Sequence, residues 1–323
     1  MNKRCRSQER ERDDCAAICG DRDAMQGNVE DASEIAVTSS EEVTSSLSVK
    51  VLKKIIAAHG GSIAGCVEKG DLVREAKRAI DAKKASASAS GLRKFGDLNC
   101  HVYYGGKEKR PESACIMFHG YGAEGSQFVD LFKMLDGLVG ENKVMWIAPE
   151  APNNMWWPLD LSEWQMAMMA GGDAIAKLLR KTPPGLSEAR SSAIGLLNAV
   201  SSECGIPISS IFVGGFSQGS MLAVDASLSL PKGQNVAGIG VFSGFPIVVD
   251  EWAAKAKEHP GIEVLQTHGR SDPLLPFVAA GWLRDLLTTN GLSVTFKDHA
   301  GGHDLGSPDI FQFIASFLKT SLK

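Results

Sequence analysis

The sequence predicts an α/β domain with a mostly parallel central sheet, preceded by a small helical hairpin and an acidic tail. Three observations carry that prediction. From about Asp97 onward, short apolar runs alternate with helical patterns, the order that builds a parallel sheet covered on both faces. One strand-type run, Ile211 to Val213, feeds the turn Gly215-Phe216-Ser217-Gln218-Gly219, and a helical pattern without Gly or Pro follows from Ser220 to Leu230. Before residue 97 such strand-type runs are missing, and the charge changes sign partway along.

Taken in order, residues 1–46 carry six basic and eleven acidic side chains, no aromatics and few aliphatics, a net charge of −5. Such a segment buries too little apolar surface to offset its ordering entropy, so a disordered tail is expected. Residues 47–83 read as a helical module. Val51, Leu52, Ile55 and Ile56 recur at helical spacing, Gly60-Gly61 stops that helix, and Asp71 is placed to cap a second one through Leu72, Val73, Ala76 and Ile80. Cys66 is expected to pack between the two helices. Residues 84–96 read as a linker, because Lys83–Ser90 is low in complexity.

Residues 47–96 hold eleven basic and four acidic groups, a net charge of +7. That excess could dock the module on a protein or an anionic surface. The plainer reading is a solvated lysine face, and nucleic acid is not the expected partner. The stretch Leu47–Ile56, with Gly65-Cys66-Val67-Glu68-Lys69-Gly70-Asp71-Leu72-Val73 after it, resembles the SAP-like helical modules. The resemblance implies binding rather than chemistry.

Residues 97–323 form the expected catalytic domain. Its predicted strands are 100–104, 114–118, 143–147, 211–213, 236–242, 263–267 and 294–298. Predicted helices span 127–138, 163–179, 187–202, 220–230, 278–289 and 308–318. The whole chain of 323 residues, 44% hydrophobic and 22% charged with a net charge of −4, has no stretch near the roughly 18 apolar residues of a membrane span. Its first residues lack the apolar core of a secretory signal, and Glu9, Glu11, Asp13 and Asp14 speak against an organelle transit peptide. Seven cysteines form no metal-ligand array, so reduced thiols and a cytoplasmic location are expected, with no metal and no cofactor.

Strand, sharp turn and helix around Ser217 form the context of a nucleophile elbow. A serine so placed needs a base and a group to orient it, which in this topology follow as acid and then histidine. Among seven histidines, His303 lies in Ala300-Gly301-Gly302-His303-Asp304, between the last strand and the last helix. His259, beside Pro260 in a polar loop, reads as a surface residue, and His268 and His299 read as structural. Asp272 follows the preceding strand, in His268-Gly269-Arg270-Ser271-Asp272-Pro273. Ser217, Asp272 and His303 are therefore the expected nucleophile, orienting acid and base. An oxyanion needs two backbone N–H donors, expected from Gln218 at the helix start and from Tyr121 in Phe118-His119-Gly120-Tyr121-Gly122. His119 reads as structural. Trp156 and Trp157, just past a strand and beside Pro152 and Pro158, read either as the wall of an acyl pocket or as core. Met166, Met168 and Met169 read as core.

These stretches, together with Ala148-Pro149-Glu150-Ala151-Pro152, resemble the phospholipase/carboxylesterase family, over about Asp97 to Leu318. The Gly-Gly-His-Asp ending and Trp156-Trp157-Pro158-Leu159 look closer to its bacterial carboxylesterases than to animal acyl-protein thioesterases. The resemblance implies an α/β-hydrolase fold and the same three catalytic residues. It also implies a small-molecule ester or an acylated protein as substrate, cleaved through an acyl-enzyme. A lysophospholipase or lipase shares these residues, and a non-catalytic scaffold acting through the helical module is the rival from another class. Ser220 stands where many relatives have Gly or Ala.

Overall fold

The computed structural model describes residues 40 and 42–322, apart from 60, 65, 67, 90–91, 106–109 and 141–142. The tail expected over residues 1–46 lies almost wholly outside the described residues. Helix α1 (Val49–Ala58) starts on Ser48, whose hydroxyl accepts the Val51 N–H at 3.2 Å. Its Leu52, Ile55 and Ile56 meet Leu72, Ala76 and Ile80 of α2 (Lys69–Ala89), and Cys66 packs against the small core they form. Asp71 stands in the first turn of α2, not before it, and its carboxylate reaches back to the Glu68 N–H at 2.8 Å. The helix also continues into the stretch expected as linker, since alanine and lysine favour helix.

Eight strands make one sheet: β1 (Arg93–Phe95), β2 (Leu98–Tyr104), β3 (Ser113–Phe118), β4 (Val144–Pro149), β5 (Ile211–Phe216), β6 (Gly238–Phe242), β7 (Glu263–Gly269) and β8 (Ser293–His299). Their order is β1-β2-β4-β3-β5-β6-β7-β8. The first two run antiparallel to their neighbours, and all other pairs are parallel. Strand β1 lies inside the expected linker. It is three residues long with only Phe95 buried, so it gave no alternating pattern to read.

The inner strands are buried on both faces, and their side chains divide by alternation. Ala114, Ile116 and Phe118 join a core shared with α6 (Leu186–Cys204), α7 (Gln218–Leu228), α8 (Val249–Ala256) and α9 (Phe277–Thr289). Cys115 and Met117 face the opposite way, toward α3 (Val129–Val139) and α10 (Pro308–Ser321). Helix α8 was not expected from the sequence. The single helix expected over 163–179 is two, α4 (Leu161–Ala170) and α5 (Gly172–Arg180), because Gly171 and Gly172 take φ of 67° and 46°. Since β3 to β8 are parallel, their carboxyl ends share one edge, the edge at which open α/β sheets place their chemistry.

Three helices behind that edge are joined by a buried ion pair. The Asp225 carboxylate of α7 is fully buried and accepts two hydrogen bonds from Arg190 of α6, at 2.7 and 2.9 Å. It also accepts the Trp252 indole N–H of α8 at 2.9 Å, while Arg190 reaches Glu251 at 2.9 Å. Hydrogen bonding to Asp225 raises the Arg190 pKa. Replacing Arg190 by Met leaves a buried carboxylate without its cation and should cost about 3 kcal/mol or more. Glu251→Gln, at the exposed end of the network, should cost about 1 kcal/mol or less. Urea unfolding of the two variants checks the order, and equal losses would show that Asp225 does not depend on Arg190.

Candidate active site

Strand β5 ends at Phe216, and α7 begins at Gln218, so the chain reverses within one residue. That residue, Ser217, has φ 53° and ψ −121°, a conformation that L side chains rarely hold. Such backbone strain costs of order 1–3 kcal/mol and persists only where packing enforces it. Packing does so here. A Cβ on Gly219 would overlap the carbonyl oxygen of Phe118, and one on Gly215 would overlap the Gly219 carbonyl. The Ser217 N–H donates to Phe242 O at 2.8 Å, and Ser217 O accepts the Ser220 N–H at 3.0 Å and the Ser220 hydroxyl at 2.7 Å. The hydroxyl at position 220 therefore gives the elbow one more hydrogen bond. Ser217 itself is half-buried.

Asp272 and His303 come together from two neighbouring strand ends. His303 Nδ1 lies 2.7 Å from Asp272 Oδ2, and the other carboxylate oxygen accepts the N–H groups of Leu274 and Leu275 at 2.9 and 2.8 Å. An acceptor carboxylate beside Nδ1 assigns the proton to that nitrogen and leaves Nε2 to act as a base. The His303 ring lies 4.8 Å from that of Phe216, the residue before Ser217. The two loops are tied together, since Arg270 donates to His299 O at 2.7 Å and Ser271 to Gly301 O at 3.1 Å. Asp304, whose part the sequence reading missed, accepts the N–H groups of Gly302 at 2.9 Å and Gly306 at 2.8 Å and so shapes the turn carrying His303.

The loop after β3 passes over Ser217: a Cβ on Gly120 would lie 3.4 Å from Ser217 Cβ. Neither the Tyr121 nor the Gln218 N–H donates to a partner among the described residues, and Gln218 opens α7, where amides and dipole favour negative charge. The Gln218 side chain was also missed. It is fully buried, accepts the Trp156 N–H at 3.0 Å and donates to Trp157 O at 2.8 Å. Trp156 in turn donates its indole N–H to His119 O at 2.8 Å, and Gly122 donates to Asn154 O at 2.7 Å. Both indoles are buried in the main core, where they brace the loop after β3.

The remaining histidines have structural partners. His119 Nδ1 donates to Gly120 O at 2.8 Å, and Nε2 accepts the Ala151 N–H at 3.1 Å. His101 bonds Glu150 at 2.8 Å, and Glu150 also accepts the Gly125 N–H at 3.0 Å. Burial opposes ionisation of Glu150, but these hydrogen bonds prevail and hold its pKa below the ordinary carboxylate value. His268 Nε2 donates to Leu275 O at 2.9 Å, 3.4 Å from Asp272 Oδ2. His299 Nδ1 accepts the Gly301 N–H at 3.2 Å. His259, expected at the surface, is fully buried and lies 2.9 Å from Asn235, because the loop between α8 and β7 that carries it packs on the loop between α7 and β6 that carries Asn235. The methionines of α4 also depart from expectation: Met166 is 64% and Met169 is 89% exposed. A cleft of about 590 Å³ runs between α4 and α5, lined by Met166, Ala167, Ala170, Ala174 and Leu178 together with the charged Glu163, Lys177, Arg180 and Lys181, and it includes none of Ser217, Asp272 or His303.

Residues 105–322 match the family described as Phospholipase/Carboxylesterase. Over 124 residues the chain is 33% identical to a rice (Oryza sativa subsp. japonica) protein named as a probable carboxylesterase, covering 37% of this chain and 44% of that protein. The match thus spans under half of the rice protein's length. Acyl-protein thioesterase 1 of Schizosaccharomyces pombe is 29% identical over 212 residues, 64% of this chain and 89% of that protein. The crystal structure of esterase PE8 superposes with a TM-score of 0.57 at 22% identity, covering 69% of this chain and 98% of that one.

Two outcomes follow from the site's geometry. Gln218→Ala should unlatch the tryptophan brace and lower kcat by about 10- to 100-fold while KM changes little, because small displacements of a catalytic loop are costly. Steady-state kinetics on a p-nitrophenyl ester reads this, and an unchanged kcat would show that the brace does not position the loop. Burial pushes the pKa values of His119 and His268 below the ordinary imidazole value, partly opposed by their bonds to Gly120 and Leu275. Below that ordinary value the unfolded chain binds protons that the folded chain refuses. Stability is therefore complete above it and falls with falling pH, by up to about 1.4 kcal/mol per pH unit for each group. Thermal unfolding from pH 8 to pH 5, with His119→Gln flattening the acid side, is the measurement.

Proposed function

The chain belongs to the phospholipase/carboxylesterase family, and on that premise we propose that it hydrolyses carboxylic esters or acyl thioesters through an acyl-enzyme on Ser217. The supporting observation is the hydrogen bond from His303 Nδ1 to buried Asp272, set beside a strained, half-buried serine at the elbow. In this reading Ser217 Oγ attacks the acyl carbonyl while His303 Nε2 takes its proton. Asp272 accepts the Nδ1 hydrogen bond, which fixes the tautomer and stabilises the imidazolium. The N–H groups of Tyr121 and Gln218 hold the oxyanion. Collapse of that intermediate breaks the bond to the alcohol or thiol, which leaves with the proton from Nε2. Water then attacks the acyl-serine, gives a proton to Nε2, and releases the acid as Ser217 regains its hydrogen.

The substrate is a small ester or an acylated protein; relatives carry the names carboxylesterase and acyl-protein thioesterase. The helical module supplies partner choice and not chemistry, since every residue given a role lies beyond β1. Cys66, Cys100, Cys115 and Cys204 are free thiols, and burial pushes the Cys100 pKa up to about 12. Among the described residues, unpaired thiols suit a reducing compartment, which supports a cytoplasmic location.

Ser217→Ala, Asp272→Asn and His303→Ala should each lower kcat by roughly 10³-fold or more with the fold intact. A panel of p-nitrophenyl esters and acyl thioesters of increasing chain length reads the loss and ranks the substrates. A fluorophosphonate probe should label wild-type protein and not Ser217→Ala; failure to label wild type would leave the scaffold reading in its place. A chain beginning at residue 91, which retains β1, should hydrolyse a short soluble ester within about threefold of the full chain, as a domain of this size holds its own core. If that chain folds but is inactive, the module takes part in the site.

A further inference from the structure

Among the described residues, five other than glycine hold positive φ: Asn153, Asn154, Ser217, Ser243 and Val248. Asparagine tolerates that region, Ser217 is the elbow, and Val248 is the residue before α8. Ser243, with φ 51°, has no such account. It is fully buried and stands directly after β6, the strand between β5 and β7. Glycine would hold this backbone at no steric cost, so the turn itself does not call for a side chain here. The stretch Phe242-Ser243-Gly244 runs between the nucleophile and the base. Phe242 O accepts the Ser217 N–H at 2.8 Å, and a Cβ on Gly244 would overlap the Ser220 hydroxyl, which donates to Ser217 O. On the other side, the Ser243 N–H donates to Thr267 O of β7 at 3.0 Å. The Ser243 hydroxyl donates to Asp304 O at 3.2 Å, one residue past His303. The turn carrying His303 is otherwise bonded to the loop after β7, through Ser271 N–H to Gly301 O and His303 Nδ1 to Asp272. Those bonds fix the base against its acid. Toward β5 and β6 the turn has the ring contact of His303 with Phe216 and the bond from Ser243. Of these two, the hydrogen bond is the one that fixes the direction of the backbone.

We propose that Ser243 is a positioning residue for the reaction: its hydroxyl holds the turn carrying His303 so that Nε2 stays aligned with Ser217 Oγ. The inference rests on the ester- and thioester-hydrolase reading, which supplies the proton transfers that such alignment serves. Ser243 is not itself a reacting group, because it is buried and acts through Asp304 O. With the hydroxyl gone, the turn keeps its bonds to the loop after β7 and loses its tie to β6. His303 then stays paired with Asp272 while its other nitrogen drifts from the serine. The cost falls on proton transfer, where small displacements matter most, and not on substrate binding.

The test is labelling of the full chain by a fluorophosphonate over a range of concentrations. This separates the limiting rate of covalent capture from the half-saturating concentration. Ser243→Ala removes the donor and leaves the strain, whereas Ser243→Gly removes both. Each should lower the limiting rate by about tenfold or more, with half-saturation unchanged within about twofold. Thermal unfolding checks that each variant is folded, and if Ser243→Ala is not, Ser243→Gly decides by the same limits. Equal losses in the two variants are the mark of a missing donor. A limiting rate that recovers in Ser243→Gly shows that strain and not the hydrogen bond was at issue, and overturns the proposal. Labelling of either variant at the wild-type limiting rate overturns it too, as does a loss that lies wholly in half-saturation. These results leave the hydrolase reading standing. Wild type that fails to label removes that reading and the proposal with it.

Discussion

The close approach of Gly219 to the backbone of Phe118 and His119 is the constraint on which the site depends. A strand must stop and a helix start within one residue, and only a missing side chain lets α7 come that near to β3. The same contact does two things. It holds Ser217 in a left-handed conformation, and it brings the loop after β3 over the serine, so that nucleophile and backbone donors are set by one piece of packing. A larger residue at 219 would not merely crowd the elbow; it would push Gly120 and Tyr121 away from the serine.

Sharp turns leave backbone polar groups that regular structure does not satisfy, and the site is surrounded by side chains that satisfy them. Glu150 takes the N–H of Gly125, Asp304 those of Gly302 and Gly306, Asp272 those of Leu274 and Leu275. His119 takes that of Ala151, and Gln218 that of Trp156. Each of these residues is polar and lies in or beside a functional loop, yet most have no reacting atom to touch. Their work is to make irregular backbone as rigid as a strand, which allows reacting groups to be held without reorganisation.

Much of this was legible because the motifs are local. Gly-Phe-Ser-Gln-Gly after a strand run specifies its own geometry, and Asp272 and His303 stand directly after β7 and β8. Less legible was anything decided by a distant neighbour. Gln218 reads as a backbone donor, but its side chain finds Trp156 and Trp157 some sixty positions away in the chain, beyond any periodicity. His259 looks solvated beside Pro260 until Asn235 closes over it. The methionines of α4 fit a core helix by composition, and Gly171-Gly172 within the same run is what ends that helix and turns them outward. The two glycines were visible; their consequence for the side chains before them required the position of α5.

Helices α4 and α5 differ from the rest of the domain in how they are held. Among their described side chains only Ala167 is fully buried, Trp164 and Leu179 pack partly on the main core, and the exposed pair of Arg180 with Asp250 reaches α8. Exposed pairs of that kind contribute little, and a segment with few buried contacts opens at a small fraction of the global unfolding free energy. The elbow is the opposite case, with every residue of α7 buried. The site is thus assembled on the most rigid part of the fold and bordered by one of the least rigid. The link between them is short. Trp164 packs on Phe245, two residues from Ser243, whose own backbone has φ 51° and whose hydroxyl bonds Asp304 O at 3.2 Å. One ring contact and one hydrogen bond thus lie between α4 and the turn carrying His303, and the same stretch also holds Ser217, whose N–H donates to Phe242 O.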